Sequence, residues 1–344
     1  MVALYFDHQF LKLFAERKDR GDEIINDFYH QFLKTISGVK VFVNIEFNAL
    51  QELIENNELY SLLSDINSPI CLNFYDRLND SSFYKEGSIT KLFFVEDCNE
   101  HQLQNESGYY FISNQTLKEK WKLFLSNHQD RELLIKSNPG PEETGVFRTW
   151  SDMSLFKHKT KNILLFDLYA MANKKNQRIE NNLLPCILQL IKNTDGGPDE
   201  LTIFTKELGQ NLKNFWIESD VNQLTEYLKP LQNRIKNINF IKYDVTRNLQ
   251  TDQEHNRCIL TNYFYIRFPA GFNVFKENGD VNHRDEIQFD SILKNRTRQF
   301  VKELLNNLKQ YTLQLKQKDF GVDNSGKVIE QYYYYPNLEC RFFN

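Results

Sequence analysis

The sequence lacks the features that mark several common classes of protein. No run of about 18 apolar residues occurs in the 344 residues, and no basic stretch followed by an apolar run opens the chain. We therefore expect neither a membrane-spanning helix nor a secretion signal. The motifs Gly-x-Gly-x-x-Gly, Gly-Lys-Ser/Thr, Gly-x-Ser-x-Gly and His-Glu-x-x-His are also absent. Their absence argues against dinucleotide oxidoreductases, P-loop nucleotide hydrolases, common serine hydrolases and zinc proteases.

Cysteine is scarce and scattered. The five cysteines are Cys71, Cys98, Cys186, Cys258 and Cys340. None of them form the close pairs that a zinc site or a disulfide framework needs. We expect reduced thiols in a cytoplasmic protein.

The composition is that of a folded protein with a large core. Hydrophobic residues make up 41% of the chain, aromatic residues 14% and charged residues 26%. At the usual domain size of about 100 to 200 residues, this length predicts two domains.

A proline- and glycine-rich segment, KSNPGPEETG at 136–145, is the best candidate boundary. Residues 1–150 hold 15 lysines and arginines against 23 acids, whereas residues 151–344 hold 27 against 23. We expect an acidic domain at 1–137, a linker at 138–154 and a basic domain at 155–344. The charge difference fits a cation site beside a polyanion site, or two ordinary solvated surfaces.

Apolar runs and helical patterns alternate along both halves. In the first half, strands are predicted at Val2–Phe6, Val39–Val43, Leu92–Val95 and Tyr109–Ile112, and helices at 22–36, 50–63 and 114–124. In the second half, strands are predicted at Asn162–Leu168, Leu201–Thr205, Ile238–Tyr243, Arg257–Leu260 and Tyr263–Phe268, and helices at 178–192, 221–235 and after Leu293. The pattern predicts the α/β class, with two three-layer α/β domains.

Three segments of the second half share one resemblance. NILLFDLYAMA (162–172), LTIFTK (201–206) and EHNRCILTNYFYIRFPAGFNVF (254–275) resemble, in order and spacing, the phospholipase D-like domain found at the C-terminus of MIT-domain proteins. The resemblance covers about residues 155–315. It implies a phospholipase D-like sheet, with a long basic helix, and a half-site that acts on phosphate.

The resemblance implies the catalytic residues His255, Arg257, Asn262 and Asn273. A phospholipase D-type enzyme uses one His as the nucleophile and a second His, from a matching half, as the acid. Here Asn262 stands where the family has Asp, and no second half-site is visible, because the spacing around His283 fails. Three interpretations stay open: an active homodimer, an anion-binding relic, or structural polar groups.

Acidic residues in the first half follow the predicted strands. Asp7, Glu96 and Asp97 come at strand ends, Glu46 and Glu52 lie where the helix after the second strand opens, and Asn114 follows the fourth strand. With the segments VKVFVNIEFNALQELI (39–54) and YYFISNQTLKEKW (109–121), this half resembles a PIN-type nuclease. The resemblance implies a PIN-like or Rossmann-like parallel sheet whose edge binds Mg²⁺ or Mn²⁺, with the ligands Asp7, Glu46, Asp97 and Asn114. Asn114 stands where an acid is common, Glu46 and Glu52 are interchangeable in this scheme, and helix caps or solvated carboxylates are the alternative.

The last predicted helix is strongly basic. Arg296, Arg298, Lys302 and Lys309 are the candidate phosphate-binding residues on it. A solvated helix face is the alternative. A tyrosine cluster, Tyr332–Tyr335, predicts either stacking on bases or an alternating strand.

Together these patterns predict a protein directed at nucleic acid. From the resemblances we expect a metal-dependent nuclease of a bacterial stress or phage-defence system, whose degenerate phospholipase D-like domain binds phosphate. The alternative is a non-enzymatic assembly subunit that forms a homodimer or a larger protein complex. Anionic membrane lipid is a third class of ligand.

Overall fold

The computed structural model describes most of the chain as two compact units. It describes residues 2–33, 38–45, 55–57, 59–61, 70–87, 90–127, 131–135, 145–155, 160–171, 179–192, 198–206, 216–243, 257–269, 271–282, 285–322, 326–336 and 340–343. The first unit comprises residues 1–129, 291–302 and 344, and the second comprises 130–290 and 303–343.

The first unit is built on a parallel sheet. Its elements are β1 (Val2–Asp7), α1 (His8–Asp19), α2 (Glu23–Leu33), β2 (Lys40–Asn44), β3 (Ile70–Cys71), β4 (Thr90–Phe94), α3 (Glu100–Ser107), β5 (Tyr110–Ile112) and α4 (Leu117–Asn127). The strand order is β3-β2-β1-β4-β5, and all neighbouring strands are parallel. The order reverses between β1 and β4, because the chain crosses from one side of β1 to the other.

Aromatic side chains cover both faces of this sheet. Tyr5 stacks between Phe42 and Phe93, with ring centroids 4.8 and 4.6 Å away. The next residue, Phe6, points to the opposite face and stacks on Phe94 at 4.6 Å. Helices α1, α2 and α4 pack on the Phe6 face through Phe10, Phe32 and Trp121. The Tyr5 face packs on Phe74, Leu78, Phe83 and Leu103. The unit therefore has three layers, as the sequence predicted.

The second unit is built on a mixed sheet. Its elements are β6 (Arg131–Ile135), β7 (Val146–Phe147), β8 (Asn162–Phe166), α5 (Leu184–Leu190), β9 (Glu200–Thr205), α6 (Glu218–Tyr227), α7 (Lys229–Gln232), β10 (Asn237–Lys242), β11 (Cys258–Thr261), β12 (Phe264–Arg267), β13 (Asp285–Ser291), α8 (Asn295–Leu313), β14 (Lys318–Val322), β15 (Val328–Tyr332) and β16 (Tyr334–Tyr335). Nine strands are ordered β16-β10-β9-β8-β11-β12-β13-β6-β7, and β14 pairs with β15 separately. Strands β8, β9 and β10 are parallel, whereas β11 is antiparallel to both β8 and β12. Residues 295–302 of α8 belong to the first unit.

The α/β class is confirmed, but the division of the chain differs from the expected one. From the sequence, residues 131–137 were expected in the first domain and residues 138–154 in a linker. In the structure, β6 and β7 belong to the second unit and its nine-stranded sheet. The physical reason is the alternation of β6: Leu133 and Ile135 are buried, while Leu134 is 43% exposed. Strand β6 pairs antiparallel with β13, where Leu133 lies opposite Ile287.

Two further observations concern membrane-spanning helices and the cysteines. No helix among the described residues is long and apolar enough to cross a membrane. All five cysteines are free thiols, as expected.

Candidate functional site

A cleft lies at the carboxyl edge of the first sheet. Strand β1 ends at Asp7, and Glu96 and Asp97 follow β4. Open α/β sheets bind ligands at this edge, where the strand order reverses. In this chain that point is between β1 and β4. The cleft has a volume of about 730 Å³, and its acidic lining residues are Asp7, Asp76, Glu96 and Asp97.

The two buried carboxylates of the cleft are tied to the edges of the strands. Asp7, 7% exposed, caps α1 by accepting a hydrogen bond from the backbone N–H of Gln9 at 3.2 Å. Its other oxygen accepts the backbone N–H of Glu96 at 3.2 Å. Glu96, 6% exposed, accepts hydrogen bonds at Oε1 from the backbone N–H of Asn114 at 2.7 Å and from Asn114 Nδ2 at 2.8 Å. Asp7 and Glu96 are therefore held side by side in fixed orientations.

Burial and neighbouring groups shift the pKa values of both carboxylates. Burial raises the pKa of Asp7, and the nearby Asp97 raises it further. The hydrogen bonds from the backbone N–H groups of Glu96 and Gln9, and the nearby His8, lower it. Burial also raises the pKa of Glu96, against the hydrogen bonds from Asn114 and with the added repulsion of Asp7 and Asp97. A cation in the cleft would favour the ionised form of both groups.

Asn114 supports Glu96 from behind and does not line the cleft. Its Nδ2 donates to the carbonyl oxygen of Phe10 at 2.9 Å as well as to Glu96, and the residue is 4% exposed. These bonds use both protons of the amide nitrogen, whereas Oδ1, the atom through which an asparagine binds a metal, accepts no hydrogen bond from the residues that the structure describes. The role of Asn114 as a ligand therefore stays a prediction. Glu96, which that set of ligands left out, lines the cleft. Glu46 and Glu52 lie outside the described residues.

The described residues supply few ligands. No three His, Cys, Asp or Glu side chains in this part of the chain are grouped closely enough to hold a metal ion. Asp7 and Glu96 are nevertheless adjacent, and Asp97 lines the same cleft. Two carboxylates suffice for Mg²⁺ when waters and substrate phosphate complete its shell.

A second network reaches the cleft from the segment after β3. Asn44, the last residue of β2, accepts hydrogen bonds from the backbone N–H groups of Phe74 and Tyr75, at 2.9 and 3.2 Å. The Tyr75 hydroxyl lies 2.9 Å from the carbonyl oxygens of both Glu96 and Asp97 and is their donor. Burial, followed by the nearby Cys98 and carboxylates, raises the pKa of Tyr75, so the hydroxyl keeps its proton. Neither Asn44 nor Tyr75 was predicted from the sequence as a site residue.

In the second unit, three of the predicted segments converge on Asp167, which is 2% exposed. Its carboxylate accepts the backbone N–H of Tyr169 at 2.8 Å and that of Phe272 at 3.0 Å. Gly271 has a φ of +73°, and a Cβ there would lie 2.8 Å from both Arg257 Cδ and Asp167 Oδ2. The Arg257 guanidinium also lies 5.8 Å from the centroid of the Tyr169 ring. Arg257, Asp167 and the turn at Gly271 therefore share one location.

The other predicted residues of this half-site are placed differently. Asn262 is 1% exposed, and its Oδ1 accepts the backbone N–H groups of Lys161 and Asn162 at 2.7 and 2.9 Å. It follows β11, whereas Arg257 precedes that strand, so about 16 Å of extended chain separates them. This corrects the expectation of a shared site: Asn262 holds the start of β8. Asn273 lies beside the Gly271 turn, 9% exposed, and His255 lies outside the described residues.

The basic helix presents three of its four predicted residues to solvent. Arg296, Lys302 and Lys309 are exposed, and the Lys309 ammonium donates to the carbonyl oxygen of Phe343 at 2.7 Å. Arg298 is 5% exposed, and its guanidinium donates to the carbonyl oxygens of Ile292 and Leu293. Burial lowers the pKa of Arg298 to about 10. The prediction that Arg298 binds phosphate is corrected, since its charge is used inside the protein.

The chain matches no protein-family model and no curated protein. The two resemblances drawn from the sequence therefore stay predictions.

Proposed function

We propose that the first unit is a phosphodiesterase that cleaves nucleic acid with the help of Mg²⁺ or Mn²⁺. One observation carries the proposal: Asp7 and Glu96, at the ends of neighbouring strands, are joined by a hydrogen bond at the point where the strand order reverses. Asp97 lines the same cleft. Parallel sheets place their chemistry at this edge.

The donor set fits a hard cation. Carboxylate oxygens are the protein ligands that Mg²⁺ and Mn²⁺ prefer, and each oxygen of Asp7 still has a free lone pair after accepting one backbone N–H. When bound, such an ion polarises a phosphate and lowers the pKa of a coordinated water. In this cleft Asp7 and Glu96 would hold it, with waters and the substrate phosphate completing its shell, and Asn114 would keep the Glu96 carboxylate in its orientation.

The remaining parts of the chain suit a polyanionic substrate. Arg296, Lys302 and Lys309 are exposed cations that fit a phosphate backbone. In the second unit, Arg257 and Asn273 would bind phosphate as a degenerate phospholipase D-like half-site. We propose a cytoplasmic protein, since its five cysteines are free thiols.

The test is a cleavage assay with isosteric variants. Full-length protein is incubated with labelled RNA, single-stranded DNA and double-stranded DNA, in Mn²⁺ and in EDTA. Glu96→Gln keeps the Oε1 acceptor for Asn114 but removes the charge, and we expect it to abolish cleavage. Glu106→Gln, on the exposed side of α3, is the matched control and should cleave normally.

Three outcomes separate the alternatives. Cleavage that needs Mn²⁺ and is lost only in Glu96→Gln supports the proposal. Cleavage that persists in EDTA and is lost in His255→Ala transfers the chemistry to the second unit. No cleavage in any arm, together with a dimer in solution, overturns the proposal in favour of an assembly subunit.

A further inference from the structure

The turn that carries Glu96 and Asp97 has an unusual backbone. Asp97 has a φ of 50° and is the only non-glycine residue with a positive φ among the residues that the structure describes. An L residue in this region is strained and persists where surrounding contacts determine it. Because Asp97 turns the chain back, the carbonyl oxygens of residues 96 and 97 converge instead of pointing apart as they would in a strand.

The two carbonyl oxygens converge on the Tyr75 hydroxyl. Both carbonyl oxygens lie 2.9 Å from it, so its one proton is shared between them. Tyr75 is itself fixed at its backbone, because Asn44 Oδ1 accepts the N–H groups of Phe74 and Tyr75. The chain of contacts therefore runs from the end of β2, through the segment after β3, to the turn after β4.

We infer that Tyr75 is a positioning residue, whose hydroxyl, anchored through Asn44, holds the turn that presents the Glu96 and Asp97 carboxylates to the cleft. The inference deepens the proposed function and rests on it for its effect on metal binding. Tyr75 lines the cleft, and its hydroxyl contacts the backbone carbonyls of Glu96 and Asp97, not their carboxylates. Residues that orient ligands in this way typically alter metal affinity or activity by about 10-fold to 100-fold when they are removed.

The experiment compares two tyrosine variants of the full chain. Tyr75→Phe removes only the hydroxyl. Tyr84→Phe is the matched control, since its hydroxyl also donates to one carbonyl oxygen, that of Leu78, in the same unit but away from the cleft. Two readouts are taken: Mn²⁺ affinity from an electron paramagnetic resonance titration, and hydrogen exchange of a peptide covering residues 95–99. Thermal melts confirm that both variants are folded.

We expect Tyr75→Phe to bind Mn²⁺ about 10-fold more weakly and to exchange faster at residues 95–99, with Tyr84→Phe like the wild type. Asn44→Ala should produce the same two changes, and the double variant should lose less than the product of the single losses, because both act on one network. Unchanged exchange at 95–99 in Tyr75→Phe overturns the inference, whatever the metal does.

The two proposals fail in different ways. If the wild-type chain binds no Mn²⁺, the metal-dependent function falls, while faster exchange in Tyr75→Phe alone still supports its hold on the turn. If the wild type binds Mn²⁺ and Tyr75→Phe binds it equally well, the function stands and the positioning role is refuted.

Discussion

Replacing Asn114 by alanine tests whether this residue supports the Glu96 carboxylate, as its hydrogen bonds indicate. The side chain donates one hydrogen bond to the Glu96 carboxylate and one to the carbonyl oxygen of Phe10. A hydrogen bond to a charged group contributes about 1.5 to 3 kcal/mol, and a neutral one about 0.5 to 1.5 kcal/mol. We therefore expect Asn114→Ala to lower the free energy of unfolding of the first unit by about 2 to 4.5 kcal/mol.

The loss should depend on pH with a definite sign. Burial raises the pKa of Glu96, and the hydrogen bonds from Asn114 lower it. Removing the side chain raises the folded-state pKa further, so the variant binds its proton more readily than the wild type. The difference in stability is then full at pH values above the Glu96 pKa, where the group is ionised, and shrinks as the pH falls through that pKa.

The measurement is a urea series without metal, followed by pulsed hydrogen exchange and mass spectrometry of peptides from residues 90–127, which belong to the first unit. Asn105→Ala is the control, because Asn105 is exposed on α3, where its side chain contacts that of the exposed His101. It should change stability by less than about 0.5 kcal/mol. A loss for Asn114→Ala no larger than that of the control, or one that is equal at pH 4 and pH 7, would refute the reasoning.

Three further predictions concern other residues. Glu96→Gln should stabilise the metal-free chain increasingly as the pH rises from 4 to 8 in thermal melts. Burial raises the folded-state pKa of Glu96, so the stability that the protonated Glu96 allows in acid is lost as the pH rises through this pKa, and glutamine avoids that loss. A gain in stability that does not grow with pH would contradict this reasoning. Gly271→Ala should cost more than the roughly 1 to 2 kcal/mol of a left-handed alanine, because its Cβ would meet Arg257 and Asp167. A Cβ at Gly279 meets nothing within 4 Å, so Gly279→Ala should cost only that amount. Equal losses of the free energy of unfolding in urea would exclude crowding at Gly271. In salt titrations of RNA binding by fluorescence anisotropy, Lys302→Gln should reduce the slope of log affinity against log salt by about one. Arg298→Gln, at a buried position, should leave that slope unchanged and lower the free energy of unfolding by about 1 to 3 kcal/mol. A changed slope for Arg298→Gln would show that its charge reaches the solvent.

The sheet of the first unit could be predicted because its strands are short, apolar and bounded. Strands β1, β2, β4 and β5 coincide with apolar runs in the sequence. Helix α1 was missed because Asp7 both ends β1 and caps α1, so no loop residues separate the two elements. Strand β13 was missed because only Ile287 and Phe289 mark its buried face in the polar run DEIQFDS.

The residues of the candidate site could also be predicted from the sequence only in part. Asp7 and Asp97 could be found because their position at strand ends is visible in the sequence, and parallel strands bring such ends together. Tyr75 could not be found, because its partners Asn44 and Glu96 are 31 and 21 residues away along the chain. No local pattern specifies which carbonyls a tyrosine will meet. Arg298 was misassigned since a helix pattern identifies a polar residue but not the few polar residues that turn inward.

The position of β6 determines where the chain can be cut. A fragment that begins at residue 138, where the sequence predicted the linker to start, would omit β6 and leave one side of β13 without its hydrogen-bonding partner. Unpaired strand edges of this kind recruit other chains and aggregate. A fragment that begins at residue 130 keeps the pairing of Leu133 with Ile287 and is the one to express when the nine-stranded sheet is studied by itself.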